Sequence, residues 1–275
     1  MRRIAIQGEL GSNSHMAALA MPGIAGGQIE IVGCALSAEV FERVIAGDVD
    51  AAVLPIENSL HGSVAEHYDL LLDHPIHIGR ESLIHIRHNV IAMPGVSLAD
   101  IRRVLSHPVA LSQCRRWLAA HAPRIEAVPF YDTAGSVKHL MAQGLRDTAG
   151  VAPALAARQY GAEILVPDIQ DHAENYTRFY LLERDTAPVP AHPDKVSIAF
   201  SVEHRPGTLM QALEEFRSAG LNLTRIESRP VHGSPWEYVF YVDARFESIP
   251  QLEGALEGLR RHTQQFKELG RYPAA

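Results

Sequence analysis

The run Asn175-Tyr176-Thr177-Arg178-Phe179 contains the residue types from which an anion site with a proton handle can be built. Arg178 offers a planar, permanently charged fork that fits a carboxylate, and Thr177 places a hydroxyl donor beside it. As an isolated pair, a strand start on a solvated face is the commoner outcome, so other segments must supply partners. One such segment is Pro55-Ile56-Glu57-Asn58-Ser59, which follows the apolar stretch 50–54. Polar residues just beyond the carboxyl end of a buried strand lie where α/β sheets hold ligands; the bland alternative is a loop in which Asn58 or Ser59 caps the next helix. Ser106 with Gln113, and Thr133 with Ser136, stand at the starts of two further helical patterns. Repeated polar helix starts point to one cleft.

The elements that must position these residues alternate strand and helix. Ile4-Ala5-Ile6 runs into Gly8, Gly11 and Ser12, and Ser14 can cap a helix over 15–20. A strand, a glycine turn and a helix start form an anion cradle, but Gly8-Glu9-Leu10-Gly11 lacks the ordered glycines of a dinucleotide site. Strands are expected at 29–33 and 50–54, with a helix from Ser37 that carries Val40, Phe41, Val44 and Ile45 on one face. A helix over 66–72, a crossing strand over 83–92, a strand at 104–106 and one helix from Val109 to His121 follow. Then come a strand near 125–128, a helix from Asp132 to Met141, a segment 148–152 that enters a helix whose first turn begins at Pro153, and a strand at 179–182.

Composition excludes several classes. The chain has 275 residues, 47% hydrophobic and 21% charged, enough for two domains with real cores. A formal charge of −7 argues against a nucleic-acid partner, so an anionic ligand needs a local site. No apolar run spans a bilayer, and Met1 to Gly8 is too short for a signal-peptide core, which predicts a cytoplasmic protein. Cys34 and Cys114 lack metal-ligand spacing and read as buried reduced thiols; most of the fifteen histidines read as surface residues, with no convincing metal site.

Residues 186–194, with Pro188, Pro190 and Pro193, read as a linker between a region 1–185 and a module 195–275. Beyond it the pattern is strand (195–203), helix (207–219), strand (222–230), hairpin, strand (236–244), helix (250–262) and strand (264–269). That is a βαββαβ module of ferredoxin-like type.

Taken in order, these segments resemble the prephenate dehydratase family. Pro55 to Ser59 with Gly62-Ser63-Val64, Ser106-His107-Pro108 with Gln113-Cys114, Asp132-Thr133-Ala134 with Ser136, and Thr177-Arg178-Phe179 match its motifs. The C-terminal module resembles an ACT regulatory domain through Arg205-Pro206-Gly207, Asn222-Leu223-Thr224 and Glu227-Ser228-Arg229-Pro230. The opening Gly8 to His15, Val109 after Ser-His-Pro, and Thr208 in place of a usual Ala depart from the family pattern.

The resemblance implies a two-lobed, periplasmic-binding-protein-like α/β catalytic region, crossed near 80–90 and 166–178, followed by the ACT module. It implies a cofactor-free and metal-free lyase that turns prephenate into phenylpyruvate on the route to phenylalanine. Thr177, Arg178, Asn58, Ser106 and Gln113 are then the expected catalytic residues, and Glu57, Ser59, Thr133, Ser136 and Phe179 the expected substrate contacts. L-phenylalanine is the expected allosteric effector, bound through Gly207, Thr208, Leu209, Asn222, Leu223, Glu227, Ser228, Arg229 and Pro230 where ACT modules join a dimer or tetramer; Thr208 is expected to narrow that site. An arogenate dehydratase and a non-catalytic amino-acid sensor share the fold and most of these residues.

Overall fold

The structure is a computed structural model that describes residues 1–24, 26–231 and 237–275. By packing, the chain divides into two compact units, residues 1–68 with 82–181 and residues 69–81 with 182–275. The sequence reading expected a single cut in the 186–194 linker; packing instead groups a short internal segment with the C-terminal residues.

From its start the chain runs through β1 (Arg2–Gln7), α1 (Asn13–Ala20), β2 (Ile29–Cys34), α2 (Ser37–Ala46), β3 (Ala51–Asn58) and β4 (Gly62–Ser63), all in the first unit, and then α3 (Ala65–Asp73) and β5 (Ile76–His85), each divided between the two units. The chain then crosses into β6 (Asn89–Ala92), β7 (Arg103–Ser106), α4 (Pro108–Ser112), α5 (Arg115–His121), β8 (Glu126–Pro129), α6 (Thr133–Gln143), β9 (Thr148–Ala152), α7 (Ala154–Tyr160) and β10 (Glu163–Val166), and returns in β11 (Tyr176–Arg184). One sheet runs β2-β1-β3-β11-β5 with β4 on β3, and the other β10-β6-β9-β7-β8. These are two α/β lobes with the chain crossing twice between them.

The first lobe is organised by β3, whose residues Ala51 to Leu54 are fully buried, as expected of a strand covered on both faces. Ala17, Ala18 and Met21 beside α1 pack with Ile4, Ile6 and Val53. In the second lobe Val90, Val104, Ala149 and Val151 form the corresponding core with Leu111 and Cys114.

Two expected elements are broken, and both breaks serve the site. The helix expected over 109–121 is split into α4 and α5 at Gln113 and Cys114. Asp171 stabilises the second start, accepting from the amides of Arg115 and Arg116 at 3.0 Å each. The crossing strand expected over 83–92 is interrupted between β5 and β6, at residues 86–88.

The second unit contains β12 (Lys195–Ser201), α8 (Thr208–Ser218), β13 (Asn222–Pro230), β14 (Tyr238–Arg245), α9 (Ile249–Arg260) and β15 (Gln265–Tyr272). The sheet order is β13-β14-β12-β15, all antiparallel, which is the ferredoxin-like order of the expected βαββαβ module. Ala212 and Phe216 of α8 and Leu252, Leu256 and Leu259 of α9 pack on Val196, Ile198 and Val242. The expected hairpin and the strand start at Trp236 lie outside the described residues.

Candidate active site

Asn58 ends β3 and is the anchor of the cleft between the lobes. Its Oδ1 accepts from the backbone amides of Leu60 and His61, each at 3.1 Å. Backbone N–H groups can only donate, so this end of the side chain must be the oxygen. The Nδ2 end therefore donates, its two hydrogens shared among Asn175 Oδ1 at 2.8 Å, Thr177 Oγ1 at 2.9 Å and Tyr176 O at 3.1 Å. With its oxygen accepting from Asn58, the Thr177 hydroxyl is oriented to give its hydrogen elsewhere.

The same logic runs on into the second lobe. Asn175 presents its oxygen to Asn58, so its Nδ2 donates to Gln113 Oε1 at 3.0 Å. Gln113 Nε2 then faces Asn58 Oδ1 at 3.4 Å and His61 Nδ1 at 3.1 Å. His61 agrees with this polarity, because its Nε2 meets Ser112 Oγ at 3.0 Å and that hydroxyl already donates to Val109 O at 2.7 Å. The final link is His88, whose Nε2 lies 2.7 Å from Gln113 Oε1. Asn175, Gln113, His88 and Thr177 are all buried, so these bonds form in a low-dielectric setting.

A cavity of ≈ 270 Å³ opens onto this network. Gln7, Pro55, Asn58, Val64, Thr177 and Phe179 line it from the first lobe, Val109, Ala110, Gln113, Asp132 and Thr133 from the second, and Ile86 and His88 from the crossing segment. Ser12, Asn13 and Ser14 bring the start of α1 to it, and Asp132 and Thr133 the start of α6. Helix starts offer backbone N–H groups and a partial positive charge to anions. Neither Lys nor Arg is among the described residues lining the cavity. Burial raises the Asp132 carboxyl above its usual range against the opposing bond from the Gly135 amide, and lowers the His88 imidazole. A wider hollow of ≈ 530 Å³ shares Gln7, His107 and Asp132 with it.

Contacts across the cleft hold the lobes together. Glu9 in the β1–α1 loop accepts from Lys138 at 2.8 Å and from the Tyr131 hydroxyl at 3.0 Å, and the Tyr160 hydroxyl donates to Leu10 O at 2.8 Å. The loop approaches α7 so closely that a Cβ on Gly11, whose φ is +89°, would stand 2.8 Å from Ala156 Cα.

Several expected residues are placed otherwise. Thr177 and Arg178 are neighbours on a strand and point to opposite faces. Arg178 lies 3.6 Å from Glu57, itself the neighbour of Asn58, so Glu57 and Arg178 share the face away from the cavity. An anion site built from Thr177 and Arg178 side by side is not what the strand allows. Ser106 is fully buried and donates to Val151 O at 2.5 Å, tying β7 to β9. Ser136 donates to Thr133 O at 2.6 Å within α6. Ser59 closes the pairing of β3 with β11, its Oγ accepting from the Tyr176 amide at 3.0 Å. Thr133 and Phe179 do line the cavity.

His88 and His61 carry no role in the sequence pattern, and Asn175 stands there only as part of the 175–179 run. The expectation that most histidines lie at the surface leaves room for exceptions, and His15, His67 and His88 are buried. His67 meets Ser37 Oγ at 2.9 Å and Pro55 O at 2.5 Å, a structural bridge beneath the cavity wall.

In the second unit the expected effector residues fall into two places. Gly207, Thr208 and Leu209 line a hollow of ≈ 190 Å³ with Tyr238 and Phe240, whereas Arg229 and Pro230 line another of ≈ 420 Å³ with Asp69, Phe200 and Tyr241. Thr208 turns its hydroxyl onto Glu203 O and Arg205 O, at 2.7 and 2.9 Å. Asn222 and Leu223 open β13, Glu227 pairs with Arg225, and Ser228 stands opposite Phe240.

Two α/β lobes lining a donor-rich cavity, with a ferredoxin-like module in the same chain, define a two-lobed cleft protein. The chain belongs to the prephenate dehydratase family, whose profile matches residues 4–187; the named relatives are lyases. It is 43% identical over 286 residues to the chloroplastic arogenate dehydratase/prephenate dehydratase 2 of Arabidopsis thaliana, covering 98% of this chain and 72% of the relative. Among solved structures, prephenate dehydratase from Arthrobacter aurescens in complex with L-Phe superposes with a TM-score of 0.88 at 35% identity, covering 98% of this chain and 90% of that one. A structure described as GqqA, a novel type of quorum-quenching acylase, also gives 0.88, at 34% identity over 100% and 98% of the two chains. No helix among the described residues is long and apolar enough to cross a membrane.

Proposed function

We propose that this chain catalyses the decarboxylating dehydration of prephenate to phenylpyruvate and is inhibited by L-phenylalanine. The observation that carries the reading is the oriented Thr177 hydroxyl, whose oxygen is held by Asn58 so that its hydrogen is available inside the cavity. In this reaction the electrons of the ring–carboxylate bond flow into the ring as carbon dioxide leaves, and the ring C–O bond breaks. The poor step is departure of hydroxide. A threonine hydroxyl is too weak an acid to transfer its proton at neutral pH, so Thr177 acts by a hydrogen bond that strengthens as charge builds on the departing oxygen. A donor held in advance needs no reorganisation when that charge appears.

The substrate's two carboxylates meet the starts of α1 and α6 in place of a guanidinium clamp. Asn58, Asn175 and Gln113 hold the donor, Thr133 and Phe179 shape the wall, and Arg178 with Glu57 braces the opposite face of the strand pair. A pure sensor has no need of a hydroxyl fixed with its hydrogen unspent.

A second reading, arogenate as substrate, is favoured by one feature. The Asp132 carboxylate lines the same cavity and suits the ammonium that arogenate carries where prephenate has a keto group. Plant relatives at 37–43% identity are named arogenate dehydratases. The effector reading is supported by the L-Phe complex of the Arthrobacter relative and by the separation of Gly207–Leu209 from Arg229–Pro230, since a second copy is needed to bring both sets to one ligand.

The deciding assay supplies purified chain with prephenate and, separately, arogenate. Phenylpyruvate from the first supports the main reading, phenylalanine from the second alone supports the alternative, and binding without either product leaves the sensor.

A further inference from the structure

The bond polarity traced through the cleft ends on His88. Backbone amides fix Asn58, Asn58 fixes Asn175, and Asn175 together with His88 converges on Gln113 Oε1. An oxygen cannot donate, so the His88 nitrogen facing it, Nε2, must carry the ring proton. The other nitrogen is then a lone-pair acceptor. His88 is 2% exposed and lines the cavity, and its Nδ1 is buried with no partner among the described residues. An unmet buried acceptor carries a cost that a ligand hydrogen would recover. Burial also disfavours the charged ring, and a second proton at Nδ1 would find no acceptor among the described residues.

Asn13 Oδ1 is a second unpartnered atom at the cavity. Nothing described fixes that amide, and turned over it offers NH₂ instead, as suits a residue at a helix start. His88 has no such freedom while Gln113 holds it.

We propose that His88 Nδ1 is a substrate contact that accepts the hydrogen of the ligand's ring hydroxyl. This rests on the dehydratase reading. Thr177 gives a hydrogen to the hydroxyl oxygen and His88 takes the hydrogen that the same hydroxyl carries. Together they fix the C–O bond's direction and select a ligand that has this group over one that lacks it. No proton changes owner in this role.

The test uses the wild-type chain, nitrogen-labelled at histidine, and two inert probes. One is the saturated-ring analogue of prephenate, which keeps both carboxylates and the hydroxyl but cannot become aromatic; the other is its deoxy counterpart. Imidazole nitrogen spectra of the free protein should show His88 protonated on Nε2 only, an outcome that needs no turnover. The hydroxyl probe should shift the Nδ1 signal and bind about tenfold more tightly than the deoxy probe. His88→Phe should erase that preference by weakening only the hydroxyl probe. A ring protonated on Nδ1, or equal shifts and equal affinities for the two probes, overturns the His88 role while leaving the dehydratase reading in place. Binding of neither probe, with no product from prephenate, removes both.

Discussion

The two units bury polar groups in opposite styles. At the cleft of the first unit they are neutral amides, a hydroxyl and an imidazole, linked with one polarity and ending, among the described residues, in a donor at Thr177 and an acceptor at His88 that have no partner. In the second unit the prominent ones are charged side chains met by partners, beside neutral groups such as Ser197. Lys195 meets Glu81 at 2.7 Å with both side chains almost fully buried, and Lys267 gives hydrogens to the carbonyls of Leu71, Leu72 and His74. Arg229 grips Asp69 through two bonds, of 3.0 and 2.7 Å. Neutral networks can leave a bonding group free for a ligand at modest cost, whereas a buried charge must be met in full. The first arrangement suits turnover and the second holding.

The largest effect expected from this contrast is on the second unit. Lys195→Met leaves Glu81 buried without its cation and should cost about 3–5 kcal/mol, seen as faster hydrogen exchange in β12, β14 and β15. Adding Glu81→Leu should recover most of it, and kcat should hardly change. If the single variant is as stable as wild type, the matched-charge description is wrong.

Next comes Thr177→Ala, expected to lower kcat by about 10²–10³ with little change in KM or in the unfolding midpoint. Turnover close to normal would remove the hydroxyl from the mechanism. A somewhat smaller loss, about 10–10² in kcat, is expected for Asn58→Asp. That change keeps an acceptor for the Leu60 and His61 amides but replaces the donor to Thr177, which then turns its hydrogen inward. Equal rates for Asn58→Asp and wild type would show that bond polarity does not matter here.

The smallest effect per group is on pH. Burial lowers the pKa of His15, His67 and His88 below the ordinary 6.5, and all three lie in the first unit. As pH falls below 6.5 the unfolded chain takes up their protons before the folded one does. Their contribution is therefore complete above that value and is lost on acidification, by about 1.4 kcal/mol per pH unit for each ring between its two pKa values. Hydrogen exchange at pH 7.5 and 5.5, corrected for intrinsic rates, should show the first unit weakened and the second little altered; equal weakening would assign the effect elsewhere.

Much of the architecture was legible in the residue order. The buried run of β3, the apolar stripes of α2, α8 and α9, and the βαββαβ sequence of the module follow from periodicity, because burial of apolar faces is a local pattern. The polar motifs also named the segments that meet: Asn58, Gln113, Thr133 and Thr177 do gather at one cavity. Strand alternation could have warned that Thr177 and Arg178 face apart, since that too is local.

What only the tertiary structure decided is which of those polar atoms are spent and which are free. Ser106 and Ser136 carry hydroxyls near helix starts as Thr133 does, yet theirs close on backbone carbonyls inside the fold. His88 has no local signature at all. Its role depends on Gln113, 25 residues away, which reaches it because the helix expected over 109–121 breaks where Asp171 caps the second half. A hydrogen bond's direction is set by the partner's partner, and in this cleft that chain runs from the 58–61 turn through Asn175 and Gln113 to His88. Sequence order fixes which groups exist; the direction in which each one bonds is fixed by contacts between residues far apart in it.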